Sequence, residues 1–274
     1  QIDMTNDSTV FLVKADWQIA SNNLFSVRWN YHDTEGLNGL YTNPYPSTWR
    51  SLNSTEGNSF NSAVGNLNSV LGTNTFNEAI LQWSQERRPR TPNTMLIPET
   101  EIYGYTATFG QKSYLPNKLD EDRIQLIDNF THYLGNHTLK AGINFDFTHY
   151  DNVFLYYGYG YYTFNDWDDF FEGDAGNYRQ AFSATDGAIV FDIDYYSFYL
   201  QDEWRPSNNL TLTYGLRYDL QDNPTPDMSN PNYEDTAYIP NDTNNWSPRI
   251  GFAWDISGDG KSVLRGGLGR FYDN

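Results

Sequence analysis

Hydrophobic and polar positions alternate with a period of two along most of this chain. From 210 to 219, Leu210, Leu212, Tyr214, Leu216 and Tyr218 are interleaved with Thr211, Thr213, Gly215, Arg217 and Asp219. Successive side chains of a strand point to opposite faces, so this stretch presents one apolar, aromatic face and one small, polar or charged face. The same alternation predicts strands over residues 9–18, 25–32, 77–87, 123–134, 137–150, 247–256 and 262–272. Residues 61–71 fit less well, because Asn66 and Asn68 interrupt the apolar set. Tyr196, Phe198, Trp204, Tyr214 and Tyr218 fall toward strand ends, where a membrane barrel places its aromatic girdles.

The connections carry a second pattern. Near residues 19, 72, 135, 206 and 257 they are short and rich in Gly, Asn, Ser and Pro. Near 33, 88, 152 and 223 they are long. Short and long alternate strictly along about ten predicted strands, so every long loop falls on one side. Neither a sandwich nor a propeller requires that, whereas an outer-membrane barrel has short periplasmic turns and long external loops. The expected fold is therefore all-β: an antiparallel up-and-down meander, part of a transmembrane β-barrel, forming a single barrel segment over residues 1–274. Within the loops, residues 101–109 predict an extra hairpin strand. Residues 165–172 predict a helical turn capped by Asn165, with Asp166, Asp168 and Asp169 near the positive end of its dipole.

Composition sharpens this picture. Aromatic residues make up 17 % of the chain, with 22 Tyr, 17 Phe and 8 Trp, yet the mean hydropathy is −0.69. A soluble core leans on Leu, Ile and Val. Many aromatics within a polar average match a barrel whose lumen and loops face water. The net charge of −18 argues against nucleic acid, which needs a basic stripe. The chain has no Cys, which excludes disulfides and thiolate chemistry. No apolar run approaches the roughly 20 residues of a membrane helix.

Several stretches resemble TonB-dependent outer-membrane receptors, and among them most the Oar-like branch. They are GNHTLKAGINFDF (135–147), FYLQDEWRPSNNLTLTYGLRYD (198–219) and NNWSPRIGFAWDISGDGKSVLRGGLGRFYDN (244–274), with LPNKLDEDRIQLIDNFTHYLGNHT (115–138) and YYTFNDWDDFFEG (161–173). The resemblance covers roughly residues 8–274. It implies a bacterial outer-membrane protein that takes up a scarce solute, or in the Oar-like branch serves export or surface assembly. It also implies barrel lipid, a plug domain and the TonB complex as partners. Such barrels have about 22 strands around a plugged lumen. No plug, TonB box or terminal aromatic strand is visible here, so the chain reads as an internal barrel segment. A surface binding or adhesion barrel without active transport is the alternative.

No catalytic set stands out, and no metal site or cofactor is expected. His32, His132, His137 and His149 lack ligand spacing on any one strand. The calcium-like run from Asp255 to Gly260 has Gly266 where the loop requires Glu, and reads as a hairpin turn. The Asn-x-Ser/Thr tripeptides fit chance in an Asn- and Thr-rich chain. Two groups of residues remain as binding candidates. In the loop over residues 151–188, Tyr156, Tyr157, Tyr159, Trp167, Asp168, Asp169 and Phe170 set aromatic faces beside carboxylates, which suits sugars, peptides or cationic groups. Packing the loop onto its neighbours is the plainer use of the same rings. On the polar strand faces, Arg28, Lys140, Arg217, Asp219 and Arg249 are expected to line the lumen. There the cations either balance acids such as Asp146 and Asp219 or meet a plug or an anionic solute.

Overall fold

A computed structural model describes residues 3–38, 49–105 and 107–272. Its wall is one ten-stranded antiparallel sheet in which every strand pairs with the next wall strand along the chain. The first four strands are β1 (Thr5–Ala20), β2 (Asn23–Leu37), β3 (Ser54–Val70) and β4 (Thr75–Pro92). Two short loop strands follow, β5 (Glu99–Ile102) and β6 (Ala107–Phe109). The wall resumes with β7 (Asn117–Leu134) and β8 (His137–Val153). After β9 (Tyr161–Phe164), the helix α1 (Trp167–Glu172) and β10 (Asn177–Arg179), it continues through β11 (Ala188–Ser207) and β12 (Leu210–Asp222). It ends with β13 (Asn245–Asp255) and β14 (Val263–Gly269). No described helix is long and apolar enough to cross a membrane, which says nothing of a barrel that crosses with strands.

Pairing registers place the predicted faces together across the wall. Leu126, Phe145 and Tyr196 lie side by side, as do Ala141, Leu200, Leu216 and Pro248. Directly behind them Lys140, Gln201, Gly215 and Arg249 form a continuous polar row. Phe145, Tyr214, Leu216, Phe252 and Trp254 thus share the apolar face, opposite Lys140, Arg217 and Arg249. Side chains such as Leu200 (62 % exposed) and Ile250 (61 %) would be costly in water. Their exposure is the signature of a surface that meets lipid. Between the two edge strands the ladder satisfies the backbone, as crossing a bilayer demands.

The wall strands run further than the alternation predicts. The loop expected from residue 32 to 58 is strand up to Leu37 and again from Ser54. Residues 39–48 of that loop lie outside the described residues. Arg88 to Pro92, expected in a loop, belong to β4. Polar and charged residues continue the ladder there because above the membrane both faces are wet, and alternation loses its meaning. Asn66 and Asn68 do not interrupt β3 either; they stand in register on its polar face. The expected strand over 101–109 is two short strands joined by a 3-10 turn. They enter a second, four-stranded sheet in the order β10-β9-β5-β6, with β5 and β9 parallel.

Candidate functional site

The second sheet forms a cap on the side of the long loops, built from segments distant in sequence. Ile102 of β5, Ala107 of β6 and Phe164 of β9 form its buried core, with Phe109, Tyr162, Trp167, Phe170 and Ala175 packed against them. Ile102 is completely buried where the loop after β4 meets the loop after β8. Lys112 Nζ lies 2.6 Å from Glu99 Oε1, and the Ser113 amide donates to Glu99 Oε2 at 2.7 Å. The Tyr157 amide donates to Ser113 O at 2.7 Å, tying the loop after β8 to the loop after β4. Trp49, from the end of the loop after β2, packs on Phe109 with ring centroids 5.4 Å apart.

This cap divides the predicted loop residues into two groups. Trp167 and Phe170 are half-buried and pack on its core. Asp169 is occupied by local structure: its amide donates to Asp166 Oδ1 at 2.9 Å, and its Oδ2 accepts from Asn165 Nδ2 at 2.9 Å. The N-cap of α1 is therefore Asp166, one residue later than the predicted Asn165. An Asp at the N-cap places a full charge on the amide two to three residues ahead, where Asn offers only a dipole. Asp168, Tyr156 and Tyr159 remain exposed. Tyr156 stands in a stack with Tyr114 on one side (6.5 Å, 7° between planes) and Phe154 on the other (6.4 Å, 23°). Tyr157 is half-buried, edge-on to Tyr156 at 4.1 Å, and Arg179 lies over its ring at 5.9 Å.

Tyr114 is outside the predicted set because its loop meets Tyr156 only through the tertiary fold, whereas Phe154, two residues before Tyr156, is a local neighbour. Burial pushes the Tyr114 phenol above its ordinary range. The Tyr161 phenol is pushed up further, first by burial and then by its hydrogen bond to the Glu101 carboxylate, which favours the protonated donor.

On the lumen face the predicted charges also separate. Arg217 Nε donates to both oxygens of Asp219 at 2.9 Å, and its Nη2 donates to Ser197 Oγ at 2.8 Å. This pair is balanced within the wall. Asp146 is held by Arg123, whose Nε lies 2.8 and 2.7 Å from its two oxygens, so it is not the counter-ion of Lys140. Arg28 and Lys140 have no carboxylate partner among the described residues, and Arg249 stacks over the Phe271 ring at 4.5 Å. Of the four cations expected on this face, Arg217 alone has a carboxylate partner among the described residues. A polar ladder crosses the same face. Asn68 donates to Asn66 (2.8 Å), Asn66 and Asn129 each donate to Glu78 (3.1 Å), and the Tyr199 hydroxyl donates to Asn129 (2.9 Å). Tyr199 reaches Asn129 across Gly142, where a Cβ would fall 2.4 Å from its ring.

A wall with one lipid face and one wet face, topped by interlocked loops on one side, is the architecture of an outer-membrane barrel. The sequence matches the profile of the outer membrane beta barrel domain over residues 2–274. The chain belongs to that family. It is a protein of the bacterial outer membrane. Among solved structures it is similar to the outer membrane transporter YddB from Escherichia coli, with 16 % identity and a TM-score of 0.65 over 99 % of this chain and 32 % of that one. FpvA of P. aeruginosa, solved bound to heterologous pyoverdines, gives 14 % and 0.60 over 92 % and 34 %. The copper transporter OprC gives 15 % and 0.59 over 98 % and 37 %. At such identities the likeness is one of fold, and this chain spans about a third of the length of those proteins. No curated protein matches the sequence.

Proposed function

We propose that this family member supplies part of the barrel wall of a TonB-dependent receptor that moves a scarce solute across the outer membrane, with its cap as the recognition surface. The observation that carries the reading is the cap. Three loops are tied by backbone hydrogen bonds, from Trp49 N to Thr108 O at 3.4 Å, Tyr157 N to Ser113 O at 2.7 Å and Glu99 N to Gly160 O at 3.2 Å, into a folded element that presents the Phe154, Tyr156 and Tyr114 rings. A barrel that only anchors itself in lipid gains nothing from such an element, whereas loops on a rigid scaffold are where binding residues concentrate. The rings form flat stacking surfaces for a sugar, a peptide or a planar cationic group. The fold likeness to transporters supports the same reading, as does the sequence resemblance to the Oar-like branch, in which the direction would be export. Plug and TonB contacts would belong to other parts of the full-length protein.

Replacing Tyr156 and Tyr159 with Ala in the full-length protein tests recognition without dismantling the cap, since neither ring contributes to its buried core. Cargo binding should fall while the barrel keeps its heat-modifiable electrophoretic mobility. Unchanged binding would assign these rings to packing alone. Cargo accumulation that survives loss of the inner-membrane proton gradient would instead favour a surface binding barrel without active transport.

A further inference from the structure

Carboxylates and cations on the lumen face of β11 to β14 do not balance. Asp219 is held by Arg217, Glu203 accepts from Arg205 at 2.7 Å, and Asp255 accepts the Gly258 and Gly260 amides at 3.1 and 2.8 Å. Arg249 and Arg265 have no carboxylate partner among the described residues, and Lys140, in the same row as Arg249, adds to the positive field. Arg249 is exposed, and its guanidinium lies over the Phe271 ring at 4.5 Å. A ring face orients the guanidinium without occupying its N–H donors. Gly269 makes room for that stack, since a Cβ there would lie 3.2 Å from both Arg249 Cγ and the Phe271 ring. Here a groove of about 580 Å³ opens between Tyr199, Arg217, Arg249 and Phe271, floored by Gly215, Gly251 and Gly267. That volume suits a small molecule, and glycines in a strand let a ligand come close to the backbone.

We propose that this groove binds a small anionic solute through a carboxylate carried on a planar ring. The carboxylate accepts two hydrogen bonds from the fork of Arg249, a geometry that a guanidinium offers and an ammonium does not. The ring of the solute lies on the bare backbone at Gly215 and Gly251, between Tyr199 and Phe271. Charge selects the occupant. The chain as a whole carries −18 and repels anions, so a local excess of cations within the lumen is what draws one in. The groove belongs to the wall and the recognition rings to the cap, so either site can fail without the other.

The test is saturation-transfer NMR on the detergent-solubilised full-length protein with three probes of similar shape: 1-naphthoate, 1-naphthamide and 1-naphthylmethylamine. The wild-type protein should bind naphthoate roughly tenfold more tightly than either competitor, the ratio expected of one charge-assisted contact. Arg249→Gln should lose the preference. Gly251→Leu, at a position where a Cβ meets nothing closer than 3.5 Å, fills the groove and should lose naphthoate binding. Equal binding of the three probes by the wild-type protein would overturn the proposal, and is the result expected if a plug carboxylate already holds Arg249. An undiminished naphthoate preference in a folded Arg249→Gln protein would overturn it as well.

Discussion

Single positions on this wall differ in what they tolerate, and the face each one occupies decides how. Leu216 is on the lipid side, so Leu216→Arg should cost roughly 2–4 kcal/mol of barrel stability in folding titrations into lipid. Arg217→Leu, one residue along, should cost less, because it faces a wet lumen and leaves Asp219 its hydrogen bond from Ser197 at 2.6 Å. Gly142 and Gly251 both face the lumen but are not equivalent. A Cβ at 142 would lie 2.4 Å from the Tyr199 ring and 2.7 Å from a backbone oxygen, whereas at 251 nothing lies closer than 3.5 Å. Gly142→Ala should therefore destabilise by about 1–3 kcal/mol in the same assay, and Gly251→Ala should be close to neutral. Tyr161 gives a pH signature. Its raised phenol pKa means that its contribution to cap stability is fully present below the ordinary tyrosine range and is lost as pH rises toward the folded value. In alkaline difference titrations the wild-type and Tyr161→Phe proteins should show the same phenolate absorbance until the cap unfolds. An extra phenolate titrating near the ordinary value would contradict the buried bond to Glu101.

At the level of elements, the cap and the wall are stabilised by different means and should separate experimentally. The wall is held by its backbone ladder and by lipid, whereas the cap has a small water-excluded core of its own. Phe164→Ala should cost the cap about 3–5 kcal/mol, enough to open residues 93–116 and 154–187 to hydrogen exchange and proteolysis. Exchange in β7, β8 and β11 should stay slow in the same sample. Protection lost throughout both would mean that cap and wall fold as one unit. The cap also shows where reading the residues alone runs short. The aromatic loop and its helical turn are visible in local composition, and so is the division between short turns and long loops. The parallel pairing of β5 with β9 joins residues about sixty positions apart, and no local pattern encodes it. Asp202 is the opposite case. Period two alone places an acid on an apolar face, and the structure supplies its partners, Tyr214 and His137.

For the whole molecule, the decisive feature is that β1 and β14 each pair on one side only among the described residues. An unpaired strand edge cannot be left in hydrocarbon. As part of the proposed receptor, this wall should run within a heat-modifiable barrel in electrophoresis. This 274-residue wall, expressed by itself, should not, unless it closes on a second copy. What the sequence alone determined is the class of solvent on each side of each strand. Alternation is a local property, and a one-residue slip would turn every Leu and Tyr inward, so the face each residue takes follows directly from the order of residues. The strict order of short and long connections added topology by the same local logic. The tertiary structure decided which distant groups meet. The packing of Tyr114 on Tyr156 depends on how two loops meet, and the ring of Tyr199 over Gly142, with its hydrogen bond to Asn129, depends on how far neighbouring strands are offset along the sheet. That offset is set jointly by all strands, and no one of them records it.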